Sequence, residues 1–306
     1  MNLWKKPSSV LDSLKNGLSQ ELLNETLLTD HVKTEDYLMV VLGVRLCSLI
    51  TIPAEFPNGN ELGTEIDSLC AEDLRRVVEA PAEKKALLIP KLKGRIQECY
   101  RKVVLSSDAY KAHMSWSRRL SLRTVDIGVR PSIHELYVFK NPAVMKQLRR
   151  LAVLRAVARK EFASSKGFVG SRTSLAYAEE LSSDYLNSAG KLLGYPLCCI
   201  KAYVNDRLDG EVNVEARASM QLRQIDEEIR QLSVHAYFVR NFFPCHPTCR
   251  NAIEIGRSSF RLLTDVDSRL GALYFECLRK NAKNVEESPK LSQLYRQKME
   301  KKIKNN

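Results

Sequence analysis

The sequence predicts an α+β fold that is predominantly helical, with a mixed N-terminal part and an all-helical, cysteine-containing C-terminal part. Three observations carry this expectation. Apolar residues recur at helical spacing over Leu11 to Leu28 and over Ala71 to Val104. Two short runs, Val125-Asp-Ile-Gly-Val129 and Leu136-Tyr-Val-Phe139, have the alternating or branched side chains of strands. Beyond Ser182 the periodic stretches are all helical.

The chain has 306 residues, of which 44% are hydrophobic, with only 13 glycines and 11 prolines, so it is long and apolar enough to bury one large core or two ordinary ones. Disorder is not the expectation. The N-terminus, Met1-Asn-Leu-Trp-Lys-Lys-Pro-Ser-Ser9, lacks the apolar run of a secretory signal. Leu38 to Ile52 is the most apolar stretch, but its 15 residues are interrupted by Arg45 and are too few to span a bilayer. It reads as buried core, and the chain as cytoplasmic with reduced thiols.

After the strands, Asn141-Pro142 supplies a helix start, and a helical pattern runs to about Ala163. Lys146, Arg149, Arg150 and Lys160 fall on one face of that helix, with Val144, Leu148, Leu151 and Phe162 roughly opposite; Val153 and Val157 intrude on the basic side. Ser164-Ser-Lys-Gly-Phe-Val-Gly-Ser171 has loop composition. It divides the chain into a mixed domain over 1–165, a helical cysteine-motif domain over 166–280 and a basic tail over 281–306, the tail a frayed helix or disordered. Further helices are expected from Asp184 to Leu193, capped by Ser182 or Ser183 and stopped at Gly194, from Val214 to about Val239, and from about Pro247 to Leu263.

The net charge of +12 is concentrated: Pro142 to Lys166 carries seven basic residues against one acidic, and Lys280 to Asn306 eight against three. Clustered cations are the electrostatic footprint of a phosphate backbone, so RNA or another nucleic acid is a candidate partner, with Lys146, Arg149, Arg150 and Lys160 as contact residues. Tyr110, Lys111, His113, Trp116, Arg118, Arg119 and Arg123 add a mixture of cations and aromatics. No named nucleic-acid motif is present, and solvated helix faces carry such residues without binding anything.

Of the eight cysteines, Cys47, Cys70, Cys99 and Cys277 are scattered among apolar residues and read as small hydrophobes. The other four form two pairs: Cys198-Cys199 inside Gly194-Tyr-Pro-Leu-Cys-Cys-Ile200, and Cys245 and Cys249 inside Asn241-Phe-Phe-Pro-Cys-His-Pro-Thr-Cys249. Pro196 and Pro247 place each pair at a helix start, where free N–H groups and the helix dipole favour thiolate. Facing helix starts can hold four sulfurs around one point, with Phe242, Phe243, Tyr195 and Ile200 as a dry shell. Packing, a disulfide, or a nucleophilic thiol beside His246 are the competing readings. An adjacent pair is awkward for one small zinc ion and easier for a cluster with several metal corners. An iron-sulfur cluster is therefore expected at Cys198, Cys199, Cys245 and Cys249, with zinc the alternative and His246 an additional candidate ligand.

These two motifs resemble the uncharacterised, largely archaeal family catalogued as domain of unknown function 483, over roughly residues 180–275. Gly194, Pro196, Cys198, Cys199, Pro244, Cys245 and Cys249 match its Gly-aromatic-Pro-x-Cys-Cys segment and its later Pro-Cys-x-x-x-Cys segment. The resemblance implies a shared cysteine site and no activity. Two readings of function follow: a metal-binding protein, or a nucleic-acid-binding protein whose cysteines hold a structural zinc or simply pack.

Overall fold

The computed structural model describes residues 9–164, 178–209 and 214–304, the side chains of 9, 209, 232 and 291–304 excepted. The described residues divide into two compact units, the first within 9–43 and 47–140, the second within 44–46 and 141–304.

The first unit has helices α1 (Ser9–Ser13), α2 (Ser19–Asn24) and α3 (Met39–Val41), strand β1 (Cys47–Ile52), helices α4 (Gly59–Leu69), α5 (Ala71–Glu79), α6 (Ala82–Val103) and α7 (Asp108–Arg119), and strands β2 (Arg123–Arg130) and β3 (Ile133–Phe139). The expected N-terminal helix is kinked, because Gly17 sits at φ +117° between α1 and α2. The helical pattern over 71–104 is divided at Ala80 and Pro81 into α5 and α6. The residue before a proline is pushed out of the α region, and Ala80 adopts ψ 144°.

The sheet is antiparallel in the order β1-β3-β2, with Tyr137 opposite both Leu49 and Val125. Leu136, Tyr137, Val138 and Phe139 of the central strand are all buried, so both faces of that end are covered. The apolar stretch 38–52 is core, as read from the sequence, with β1 as its strand; that strand was not anticipated.

In the cation-aromatic mixture of 110–123 Lys111, Arg118, Arg119 and Arg123 are exposed, but two of the aromatic rings are not. His113 and Trp116 are buried, Trp116 donating to Glu25 at 2.9 Å and His113 stacking on Phe56, because α7 turns its aromatic face into the core.

The second unit is helical: α8 (Val144–Ser164), a 3-10 turn (Ala178–Leu181), α9 (Ser183–Leu192), α10 (Leu197–Asp209), α11 (Val214–Arg223), α12 (Glu227–Ser233), a 3-10 turn (Val234–Ala236), α13 (Arg250–Val266) and α14 (Ser268–Lys304). The basic helix α8 groups with this unit. The physical reason is a buried ion-pair network. Glu179 accepts from Arg159 at 2.7 Å and pairs with Arg155 at 3.0 Å, tying α8 to the turn that follows it in sequence. The loop inferred at 164–171 lies, apart from Ser164, outside the described residues. Val214–Val239 is two helices and a 3-10 turn, and the segment after Lys280 continues α14 to Lys304. Among the described residues no helix is long and apolar enough to cross a membrane.

Candidate metal centre

The first half of the site is set by a helix stop and a helix start. Ser182 caps α9, its hydroxyl accepting from the Tyr185 N–H at 3.4 Å. At the other end Gly194, at φ +78°, lets the Tyr195 N–H reach the Gly190 carbonyl at 2.9 Å and its own N–H reach Lys191 at 3.2 Å. This is the Schellman arrangement, which favours glycine at that position. Arg45 reinforces the stop by donating to the Leu193 carbonyl at 3.0 Å. Pro196 then leads into α10, whose second and third residues are Cys198 and Cys199.

The second half is a loop pinned from three sides. Asn241, at φ +58°, reverses the chain ahead of Phe242. Phe242 packs on Phe238 and on Tyr195, with ring centroids 4.6 and 5.0 Å away. The Tyr195–Phe242 contact joins the residue before Pro196 to the stretch before Pro244, and so draws the two cysteine motifs together. Cys249 is the residue on which α13 starts, its carbonyl accepting from Ile253 at 2.9 Å. Further along α13, a Cβ on Gly256 would stand 2.1 Å from the His235 carbonyl oxygen, so only glycine permits the close approach that seats this helix.

Arg217 on α11 bridges both halves. Its Nε donates to Asp206 of α10 at 2.6 Å, and its Nη1 to the carbonyls of Pro244 and Cys245 at 3.2 and 3.1 Å.

The outcome is convergence. The Sγ atoms of Cys198, Cys199, Cys245 and Cys249 all lie within 4.8 Å of one another. Cys198 and Cys199 are 3.9 Å apart, Cys198 and Cys249 3.7 Å, and Cys199 and Cys249 3.6 Å. Adjacency reads as awkward for sharing one small ion, yet the two Sγ atoms stand 3.9 Å apart on the first turn of α10. Two donors already face the sulfurs: the Cys245 N–H reaches Cys199 Sγ at 3.4 Å and Asn251 Nδ2 reaches Cys198 Sγ at 3.4 Å.

Cys199 and Cys249 are buried, Cys245 is half-buried and Cys198 is exposed. Burial and the neighbouring sulfurs push the Cys199 thiol well up, and push Cys245 up to about 11. Burial also opposes ionisation of Cys198, but hydrogen bonds from Asn251 and the other cysteines outweigh it and leave that thiol below its ordinary value. Four sulfurs at this spacing repel as anions, and a bound cation inverts that balance. The donor set, four soft sulfurs of which three sit at helix starts and two receive N–H groups, fits a thiophilic metal.

His246, expected as an additional ligand, is exposed, and its Nδ1 lies 2.7 Å from the Thr248 hydroxyl. His235 packs edge-on to Phe260 in the wall behind α13. Lys146, Arg149, Arg150 and Lys160 are all exposed on α8, whereas Arg155 and Arg159 both pair with Glu179. Arg217 and Asn251 were not anticipated, because neither sits in a motif and each acts through chain brought close only by folding.

The profile of a family described as "Protein of unknown function (DUF483)" matches residues 126–268, which include both cysteine pairs. An uncharacterised protein of Methanocaldococcus jannaschii is 34% identical over 68 residues, which are 22% of this chain and 35% of that protein. The chain therefore spans about a third of that relative's length. No solved structure matches. Residues 126–268 of this chain are thus similar to a family whose function is unknown.

Proposed function

We propose that Cys198, Cys199, Cys245 and Cys249 hold a single tetrahedral metal ion of the zinc class, which fastens the start of α10 to the start of α13. The carrying observation is the set of separations among the sulfurs of Cys198, Cys199 and Cys249, 3.6, 3.7 and 3.9 Å, with Cys245 Sγ within 4.8 Å of each. A zinc–thiolate bond of about 2.3 Å gives a tetrahedral edge of about 3.8 Å. An iron-sulfur cluster, the other occupant such cysteines suit, seats its ligands on separate iron corners, which stand further apart than one such edge. Four protein thiolates leave no open coordination position, so the role of the ion is structural rather than catalytic.

The test is anaerobic purification with metal analysis. One zinc per chain and a colourless protein are expected, with tetrahedral thiolate bands after exchange for cobalt. Iron with inorganic sulfide and absorbance near about 400 nm would replace the single ion by a cluster. A folded, metal-free chain that takes up neither would overturn metal binding itself.

A second reading rests on α8. Lys146, Arg149, Arg150 and Lys160 are solvent-exposed and form no ion pair with a described residue, which favours a polyanion such as RNA along this helix. Exposed Val153 and Val157 lie among them. Binding to single-stranded RNA should weaken steeply with salt and should lose most of its salt slope in a K146A/R149A/R150A/K160A variant; RNA binding insensitive to salt would contradict it.

A further inference from the structure

Cys70 and Cys99 are 29 positions apart in sequence, yet Cys70 Sγ donates to Cys99 Sγ at 3.6 Å inside the first unit. Both are buried. We propose that this pair is a modification site, a dithiol that closes to an intramolecular disulfide by exchange with a small-molecule disulfide.

Three features support it. The sulfurs are in van der Waals contact, about 1.6 Å beyond the disulfide bond length of about 2 Å. Cys70 is the single residue between α4 and α5, at φ −106° and ψ 2°, so its backbone belongs to a junction rather than to a helix interior. Helix α5 has no buried residue and exposes Leu74 and Val78, so it can lift from the surface at low cost and uncover Cys70. In the closed arrangement Cys70 stays protonated at neutral pH, since burial and Cys99 push its thiol up to about 11. Opening of α5 therefore gates the reaction.

The exchange balances without another reagent. With α5 open, the Cys70 thiolate attacks one sulfur of oxidised glutathione; its S–S bond breaks and one glutathione leaves as thiolate. The Cys99 thiolate then attacks the Cys70 sulfur of the mixed disulfide and releases the second glutathione. Two electrons and the two thiol protons of the pair end on two molecules of reduced glutathione. The new bond closes a loop around α5 and most of α6 and fixes their hairpin to α4.

The experiment treats the full, metal-loaded chain with oxidised glutathione, blocks remaining thiols with iodoacetamide and maps the peptides. A Cys70–Cys99 crosslink is expected, two hydrogens lighter than the thiol form, with a Tm rise of about 5–10 °C that dithiothreitol reverses. In Cys99→Ala the glutathione adduct should persist on Cys70 without the Tm rise, and Cys70→Ala, a second route around any misfolding of the first, should give no crosslink. Recovery of both residues as alkylated thiols, or a glutathione adduct that persists on the unaltered chain, would overturn the proposal.

Discussion

Arg217 donates from Nη1 to the carbonyl of Cys245 at 3.1 Å, and the same guanidinium holds Asp206 of the helix that begins with Cys198 and Cys199. One side chain thus spans the two cysteine-bearing elements, and both members of its ion pair are largely shielded from water. Lysine has no planar fork with which to make these bonds together. Arg217→Lys should weaken zinc binding about 10- to 100-fold, as loss of an outer partner commonly does, while helix content is unchanged. Competition with a chromophoric chelator measures it; an unaltered affinity would show the loop to be held without Arg217.

Removing the ion should cost stability in proportion to how tightly it binds. Chelation is expected to lower the Tm by roughly 10 °C, with recovery on zinc addition. Cys199→Ser and Cys249→Ser should abolish stoichiometric zinc, whereas Cys277→Ala should retain it. Metal content beside thermal scans separates these cases.

Metal uptake should release protons. Cys199 and Cys245 have raised thiol values and are protonated at neutral pH, so zinc must displace their protons, whereas Cys198 lies lower and contributes less. Zinc addition in a weak buffer at pH 7 should release about three to four protons per ion, and the apparent affinity should fall as pH falls. Indicator-dye titration reads the number directly.

His113 makes the first unit acid-sensitive. Burial holds its imidazole down at about 3, and Tyr37 Oη sits 2.8 Å from Nδ1. The folded value lies below the unfolded one of about 6.5, so the unfolded chain binds the proton first. The stabilisation is complete above about 6.5 and is lost as pH falls towards 3, on the order of a few kcal/mol. His113→Gln should flatten the stability profile across that window in urea titrations, and a slope that persists would assign it to other groups.

Gly256→Ala should destabilise the second unit by about 2–3 kcal/mol, since its Cβ would meet the His235 carbonyl at 2.1 Å. Because α13 starts at Cys249, zinc affinity should fall with it. An alanine variant of native stability and affinity would mean that α13 shifts without disturbing its first residue.

Local chemistry is legible in the sequence. Pro196 announces the start of α10, Ser182 and Gly194 the ends of α9, and the spacing over 123–139 its two strands, because caps, turns and periodicity act over a few residues. The four cysteines and the family resemblance over about 180–275 were readable for the same reason: the motifs are contiguous.

What tertiary structure alone decided is which distant groups meet. Tyr195 on Phe242, Arg217 on Cys245 and Gly256 on His235 bring four sulfurs within 4.8 Å. Cys70 and Cys99, which read as isolated apolar residues, share a contact. Arg155 and Arg159, counted among the cations of α8, are answered by Glu179. Charge, thiol spacing and exposure depend on through-space neighbours set by long-range packing, and propensity along the chain does not encode those separations.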